Sequence, residues 1–190
     1  RVVDLVRSDE RLFPVGRLDR TSEGLILVTN DGELANRLTH PRYGVDKTYL
    51  ARVEGCPSQQ ELDRLRTGVH LAEGFARVAS VRVKRRQRET AELEIVLNEG
   101  RNREIRRILA RIGHKVLQLR RIAVGPLRLG DLPVGASRPL TREEVQMLER
   151  ATARASGESR RADQVGRKPV VGGRKPVTRG RKPVAGGRKP

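Results

Sequence analysis

From Gly166 the chain repeats Gly-Arg-Lys-Pro, at Gly166, Gly173, Gly180 and Gly187, a period of seven that sets where folding can stop. Proline in every repeat forbids the helix that a heptad otherwise suggests, so the period is no coiled coil. Val170, Val177 and Val184 are its only regular apolar residues, too few to build a core against repelling charges. Residues 151–190 hold 12 Lys and Arg against 2 acids, a net of +10 out of +18 for the whole chain of 190 residues. A disordered basic tail over 151–190 is therefore expected. It would raise affinity for a polyanion without choosing a sequence, and a single domain is left for residues 1–150.

The net charge points to a polyanionic partner, because attraction and counterion release both favour phosphate chains. The rival partner is an anionic membrane, but no apolar run is long enough to span one and no lipidation motif is present. Nothing resembles a signal peptide. Cys56 is the single cysteine, which excludes an internal disulfide framework and a cysteine-cluster zinc site. A cytoplasmic protein is expected. His40, His70 and His114 lack a metal-ligand spacing. Phe13, Phe75, Tyr43 and Tyr49 are the whole aromatic set, too few for serial base stacking on a sheet.

Residues 1–150 alternate short strand and helix patterns. Leu25 to Thr29 reads as a strand, with Asp31 as a turn residue or helix cap before a short helix from Glu33 to Leu38. Lys47 to Glu54 reads as a strand with Tyr49, Ala51 and Val53 on one face. Ser58 and Glu61 form a capping box for a helix to about Arg66, ended by Gly68. Phe75 to Val83 and Thr90 to Leu97 read as paired strands. Asn102 to Ile112 reads as a helix with Ile105, Ile108, Leu109 and Ile112 in one stripe. Val116 to Val124 returns to strand, and Thr141 and Glu144 cap a last helix towards Arg150. The order implies an α+β fold, with a mixed, mostly antiparallel sheet flanked by a few helices.

Three separated stretches are unusual for a bland domain: Gly16-Arg17-Leu18-Asp19-Arg20 running on to Gly32, Asp46-Lys47-Thr48-Tyr49, and Glu99-Gly100-Arg101-Asn102-Arg103-Glu104-Ile105-Arg106-Arg107. Together with Gly113 to Arg121 and Gly125 to Leu140, they resemble the RsuA/RluB group of RNA pseudouridine synthases. The resemblance covers about residues 2–148 in a consistent order. It implies the pseudouridine synthase catalytic fold and the isomerisation of a uridine in ribosomal RNA, with large-subunit RNA favoured by the form of the tyrosine motif. It implies no cofactor and no metal. Ribosomal RNA or ribosomal particles would be the partners of a monomer.

A carboxylate nucleophile must stay ionised beneath its substrate, which calls for a cation held close. The resemblance puts the catalytic carboxylate at Asp19 and its paired arginine at Arg106, whose planar fork suits a carboxylate and stays protonated. It places Tyr49 against the target base, beside Lys47 of the same motif. Leu119 matches the apolar floor of the pocket, with Leu117 as a near rival. A base in folded RNA must leave its stack to react. Arg17 then fills the vacated space, contacts a phosphate or partners Asp19. Arg101, Asn102 and Arg103 precede or open a helix whose amides favour phosphate. His114 follows a helix-ending Gly113 and reads as structural; Cys56 has no assigned role.

Members of that group carry an amino-terminal S4 domain and a first strand, and this sequence opens on the segment that follows them. An unpaired sheet edge or uncovered apolar surface is expected as a result. The competing readings are a non-catalytic RNA-binding or ribosome-assembly protein that keeps the fold, and a nucleic-acid compactor driven by its tail.

Overall fold

Strict alternation sets the central sheet. A computed structural model describes residues 2–153, and the expected basic tail lies outside them from residue 154. Strands β1 (Phe13–Val15), β2 (Ser22–Gly24) and β3 (Leu27–Thr29) precede helix α1 (Gly32–Thr39) and strand β4 (Lys47–Glu54). Then come helix α2 (Gln59–Thr67), strands β5 (Val69–Leu71), β6 (Gly74–Ala76), β7 (Ser80–Arg86) and β8 (Thr90–Leu97), helix α3 (Glu104–Arg111), and strands β9 (Val116–Val124) and β10 (Leu127–Arg128). Helix α4 occupies 142–153, three residues beyond the expected domain end.

The main sheet runs β10-β9-β4-β8-β7 with antiparallel neighbours, and β2 lies parallel to β9. In β8 every second residue, Ala91, Leu93, Ile95 and Leu97, is buried. These meet Ala51 and Val53 of β4 and the Ile105, Ile108 and Leu109 stripe of α3 in one core, closed by Leu62 and Leu65 of α2. Each such leucine or isoleucine contributes about 1.5–3 kcal/mol by leaving water. Val15, Leu25, Leu27, Leu34, Leu38, Val124 and Leu148 make a second core between the β1–β3 hairpin, α1 and α4.

Both capping boxes form. Glu61 N donates to Ser58 Oγ at 3.3 Å and Ser58 N to Glu61 Oε2 at 2.8 Å. Thr141 and Glu144 exchange the same pair at 3.2 and 2.9 Å. Asp31 caps α1 by accepting from Leu34 N. His114 Nδ1 lies 2.7 Å from Glu54 O, and its Nε2 3.5 Å from Glu61 Oε2.

Two elements differ from expectation. Phe75 to Val83 is not one strand: β6 folds back on β5, and β7 starts afresh at Ser80. The Phe75 ring packs directly over Gly68, where a Cβ would sit 2.1 Å from it, so the ring can turn away from the sheet. Helix α3 begins at Glu104 rather than Asn102, because Arg103 adopts φ 49 and ψ 32, outside the helical region. A groove of about 820 Å³ runs between a 3-10 turn at Val2–Leu5 and the segment after β10, lined by Leu5, Leu12, Ile26, Leu129 and Leu132. Among the described residues, no helix is long and apolar enough to cross a membrane.

Candidate active site

The carboxyl ends of β1 and β8, the start of β4 and the entry to α3 converge on a cleft of about 320 Å³, in the range of small-ligand sites. Arg17, Asp19, Lys47, Tyr49, Arg101, Asn102, Arg103 and Leu119 all line it. Arg106 is not part of the wall.

Asp19 sits in the loop from β1 to β2. Gly16, at φ +77, turns the chain out of β1, and the Asp19 carbonyl accepts from Ser22 N at 2.9 Å to close the turn. Two arginines fasten this loop from beneath. Arg121 Nε donates to Leu25 O at 2.7 Å and Nη1 to Arg17 O at 3.3 Å. Arg106 Nη2 donates to Thr21 O at 2.7 Å, and its Nη1 to Val116 O at 3.1 Å. The loop is thereby tied to both β9 and α3.

The expected Asp19–Arg106 ion pair is not what the structure shows. Among the described residues, the guanidinium within 4 Å of Asp19 is that of Arg103, with Nη1 3.9 Å from Oδ2. Both terminal nitrogens of Arg106 are committed to backbone carbonyls instead. Burial pushes its guanidinium down and Arg103 adds to this, while the Asp19 charge pulls it back up. Arg103 reaches Asp19 from the left-handed conformation, which costs a non-glycine residue about 1–2 kcal/mol. Among the described residues it is the one non-glycine position with positive φ, and it lies on the cleft.

Tyr49 lies on the inner face of β4, packed against the main core with Ala51 and Val53 beyond it. Leu119 is 5% exposed and forms part of the cleft wall, whereas Leu117 is 43% exposed and outside it. Leu119 pairs with Ala51, and Leu117, two residues away, is the residue skipped between the Arg52–Gln118 and Val53–Val116 pairs. Lys47 Nζ donates to Val45 O at 2.9 Å. Burial lowers its pKa first and the neighbouring Arg121 charge adds to this, against Asp46. Arg101 also has protein partners: Nη1 donates to Phe75 O at 2.9 Å and Nε lies 3.3 Å from Glu99 Oε2. Asn102 presents an exposed side chain.

Two charged wall residues, Glu104 and Arg121, each 3% exposed, are not among the residues expected at the site. Both lie within the stretches that carry the family resemblance, Glu104 beside Arg103 and Arg121 at the end of Gly113 to Arg121. Glu104 Oε2 accepts from Arg101 N at 3.0 Å, while Oε1 is buried without a partner. Burial raises its pKa, and Glu99 adds to the rise against Arg101. The proton is thus held to higher pH in the folded protein than in the unfolded chain. Stability from this group is full below the ordinary carboxylate pKa and is lost as pH rises through the higher folded value. Glu104→Gln removes that loss. Thermal unfolding followed upward from the ordinary carboxylate pKa should show the variant gaining on the wild type as pH rises. A constant difference in Tm would contradict the assignment.

The family described as RNA pseudouridylate synthase matches residues 3–111. An uncharacterized RNA pseudouridine synthase of Aquifex aeolicus (strain VF5) is 49% identical over 142 residues, covering 75% of this chain and 57% of that protein. Ribosomal large subunit pseudouridine synthase B of Bacillus subtilis (strain 168) is 42% identical over 141 residues, covering 73% of this chain and 58% of its own length. The chain thus spans less than two thirds of these curated relatives. A crystal structure of a pseudouridylate synthase has a TM-score of 0.68 at 27% identity, over 77% of this chain and 64% of that one. Sequence match, relatives and fold agree, and the chain belongs to the RNA pseudouridylate synthase family.

Proposed function

We propose that this chain isomerises one uridine of ribosomal RNA, in the large subunit, to pseudouridine, with Asp19 acting on a base turned out of its stack. The N1–C1′ bond breaks, the uracil rotates, and a C5–C1′ bond forms. The proton leaving C5 is balanced by one gained at N1, so the change is an isomerisation. It requires neither cofactor nor metal. The reading rests on one observation: a carboxylate facing a guanidinium, a tyrosine and a buried leucine share a cleft of about 320 Å³. Tyr49 offers the face on which a base can stack, worth about 1–3 kcal/mol. Leu119 supplies an apolar wall, and Arg103 sets a positive charge 3.9 Å from the Asp19 carboxylate. Arg17 lines the same cleft as Asp19 and fills the space that the base leaves in the RNA.

Relatives named for the large ribosomal subunit support the choice of RNA. The test uses the full chain and ribosomal RNA transcribed without modifications, with pseudouridine read by carbodiimide-stop mapping. A new stop at a single uridine of large-subunit RNA is the expected result. RNA binding without any new stop would replace the proposal with that of a non-catalytic RNA-binding protein.

A further inference from the structure

Two cations of the cleft, Arg121 and Lys47, are held by backbone carbonyls rather than by carboxylates. Arg121 is 3% exposed and lines the cleft; Nε and Nη1 are taken by backbone carbonyls, and Nη2 is buried without a partner. Lys47 lines the same cleft, and its ammonium has the Val45 carbonyl as acceptor. Asp46 pulls the Lys47 pKa up, but less than burial and Arg121 pull it down. The cleft's own acids are engaged elsewhere, Asp19 facing Arg103 and Glu104 bonded to Arg101 N.

The backbone is built to bring these cations together. β9 pairs Ala123 with Thr48 and then Arg121 with Tyr49, skipping Ile122 in a β-bulge. Bulges re-aim side chains in this way. The extra residue lets Arg121 and Val124, three apart, both reach the cleft, where regular alternation would turn one of them away. Val124 pairs with Lys47, so the Lys47 rung stands two along from the rung on which Arg121 pairs with Tyr49. Burial first and the Arg121 charge second lower the Lys47 pKa, so the two cations repel within the cleft. An entering anion relieves that repulsion.

We propose that Arg121 and Lys47 form a seat for an anionic oxygen of the phosphodiester adjoining the nucleotide that enters the cleft. This rests on reading the chain as acting on RNA. It makes Arg121 a substrate-binding residue as well as a fastener of the Asp19 loop. A phosphate oxygen suits two positive charges better than a uracil carbonyl, which is neutral.

The test separates those two ligands by charge. Short RNAs with a single uridine carry a neutral methylphosphonate at the linkage on its 5′ side, on its 3′ side, or at neither. Binding to the full chain is followed by fluorescence anisotropy at fixed salt. With the wild type, neutralising one of the two linkages should weaken binding about tenfold, as losing one charge-assisted contact does. In Lys47→Met, whose apolar stem preserves packing, the same neutralisation should cost much less. Arg121→Gln should behave alike where its thermal unfolding shows that it folds. Two results would overturn the seat: both neutral linkages tolerated by the wild type, or an undiminished penalty in Lys47→Met. Pseudouridine formation on the native RNA, measured in parallel, keeps the two readings apart. Product without a linkage penalty removes the seat and leaves the activity. A Lys47-dependent penalty without product supports the seat and removes the activity.

Discussion

Asp19→Asn should lower the single-turnover rate of pseudouridine formation by at least about 10⁴-fold, the loss typical of removing a group that acts as nucleophile. RNA affinity and Tm should barely change. The effect should be confined to chemistry, because the carboxylate holds little of the local structure. The turn that carries Asp19 is closed by its backbone carbonyl and by the guanidinium groups of Arg106 and Arg121, whose hydrogen bonds go to backbone oxygens rather than to the carboxylate. The carboxylate's partner is Arg103 at 3.9 Å, a partly exposed pair worth less than about 1 kcal/mol. Asparagine keeps the volume and the polarity of the side chain and loses only the charge. Asp19→Ala serves as the second variant, since a slow hydrolysis of asparagine to aspartate would restore activity in the first. Wild-type rates in either variant would remove Asp19 from the mechanism.

The second large effect is one of stability. Gly24 lies in β2 opposite Arg121 at φ +109, and a Cβ there would stand 2.2 Å from the Arg121 carbonyl oxygen and 2.7 Å from its nitrogen. Both atoms belong to the backbone of the central sheet, so neither can swing aside. Gly24→Ala must therefore separate β2 from β9 or hold alanine in a conformation it rarely adopts, at a cost of about 2 kcal/mol or more. In a domain of this size that corresponds to a fall in Tm of about 4–8 °C. Activity should fall further than stability alone requires. Moving β2 disturbs the Leu25 N to Arg121 O bond of 2.8 Å and the return bond from Arg121 Nε to Leu25 O, which together anchor the Asp19 loop. Chemical denaturation and single-turnover rates on the folded variant check the two parts separately. An unchanged Tm would show that β2 does not make this close approach.

Elements governed by local chemistry are legible in the order of residues. The alternation of Thr90 to Leu97, the Ile105, Ile108, Leu109 and Ile112 stripe, and the capping boxes at Ser58 and Thr141 each depend on residues within a few positions of one another. A single strand over Phe75 to Val83 does not form, because period-two alternation cannot tell one strand from two. What breaks it is the packing of Phe75 on Gly68, seven residues earlier. The candidate site is legible through motif resemblance in its membership: Asp19, Tyr49, Lys47 and Leu119 share one cleft. Its pairings are not. Arg103 and Arg106 lie three residues apart in one motif, and only the left-handed turn at Arg103 decides which of them faces Asp19.

The chain's own order of residues determined the strands, the helices and the short list of residues able to do chemistry, because propensity, capping and periodicity act over a turn or two of backbone. Tertiary structure alone decided which guanidinium meets which oxygen. A single extra residue in β9 turns Arg121 inward, and the tight passage at Gly24 locks it beneath the Asp19 loop. Those choices depend on register between strands about a hundred residues apart, and side-chain identity at one position carries no record of the register it will meet.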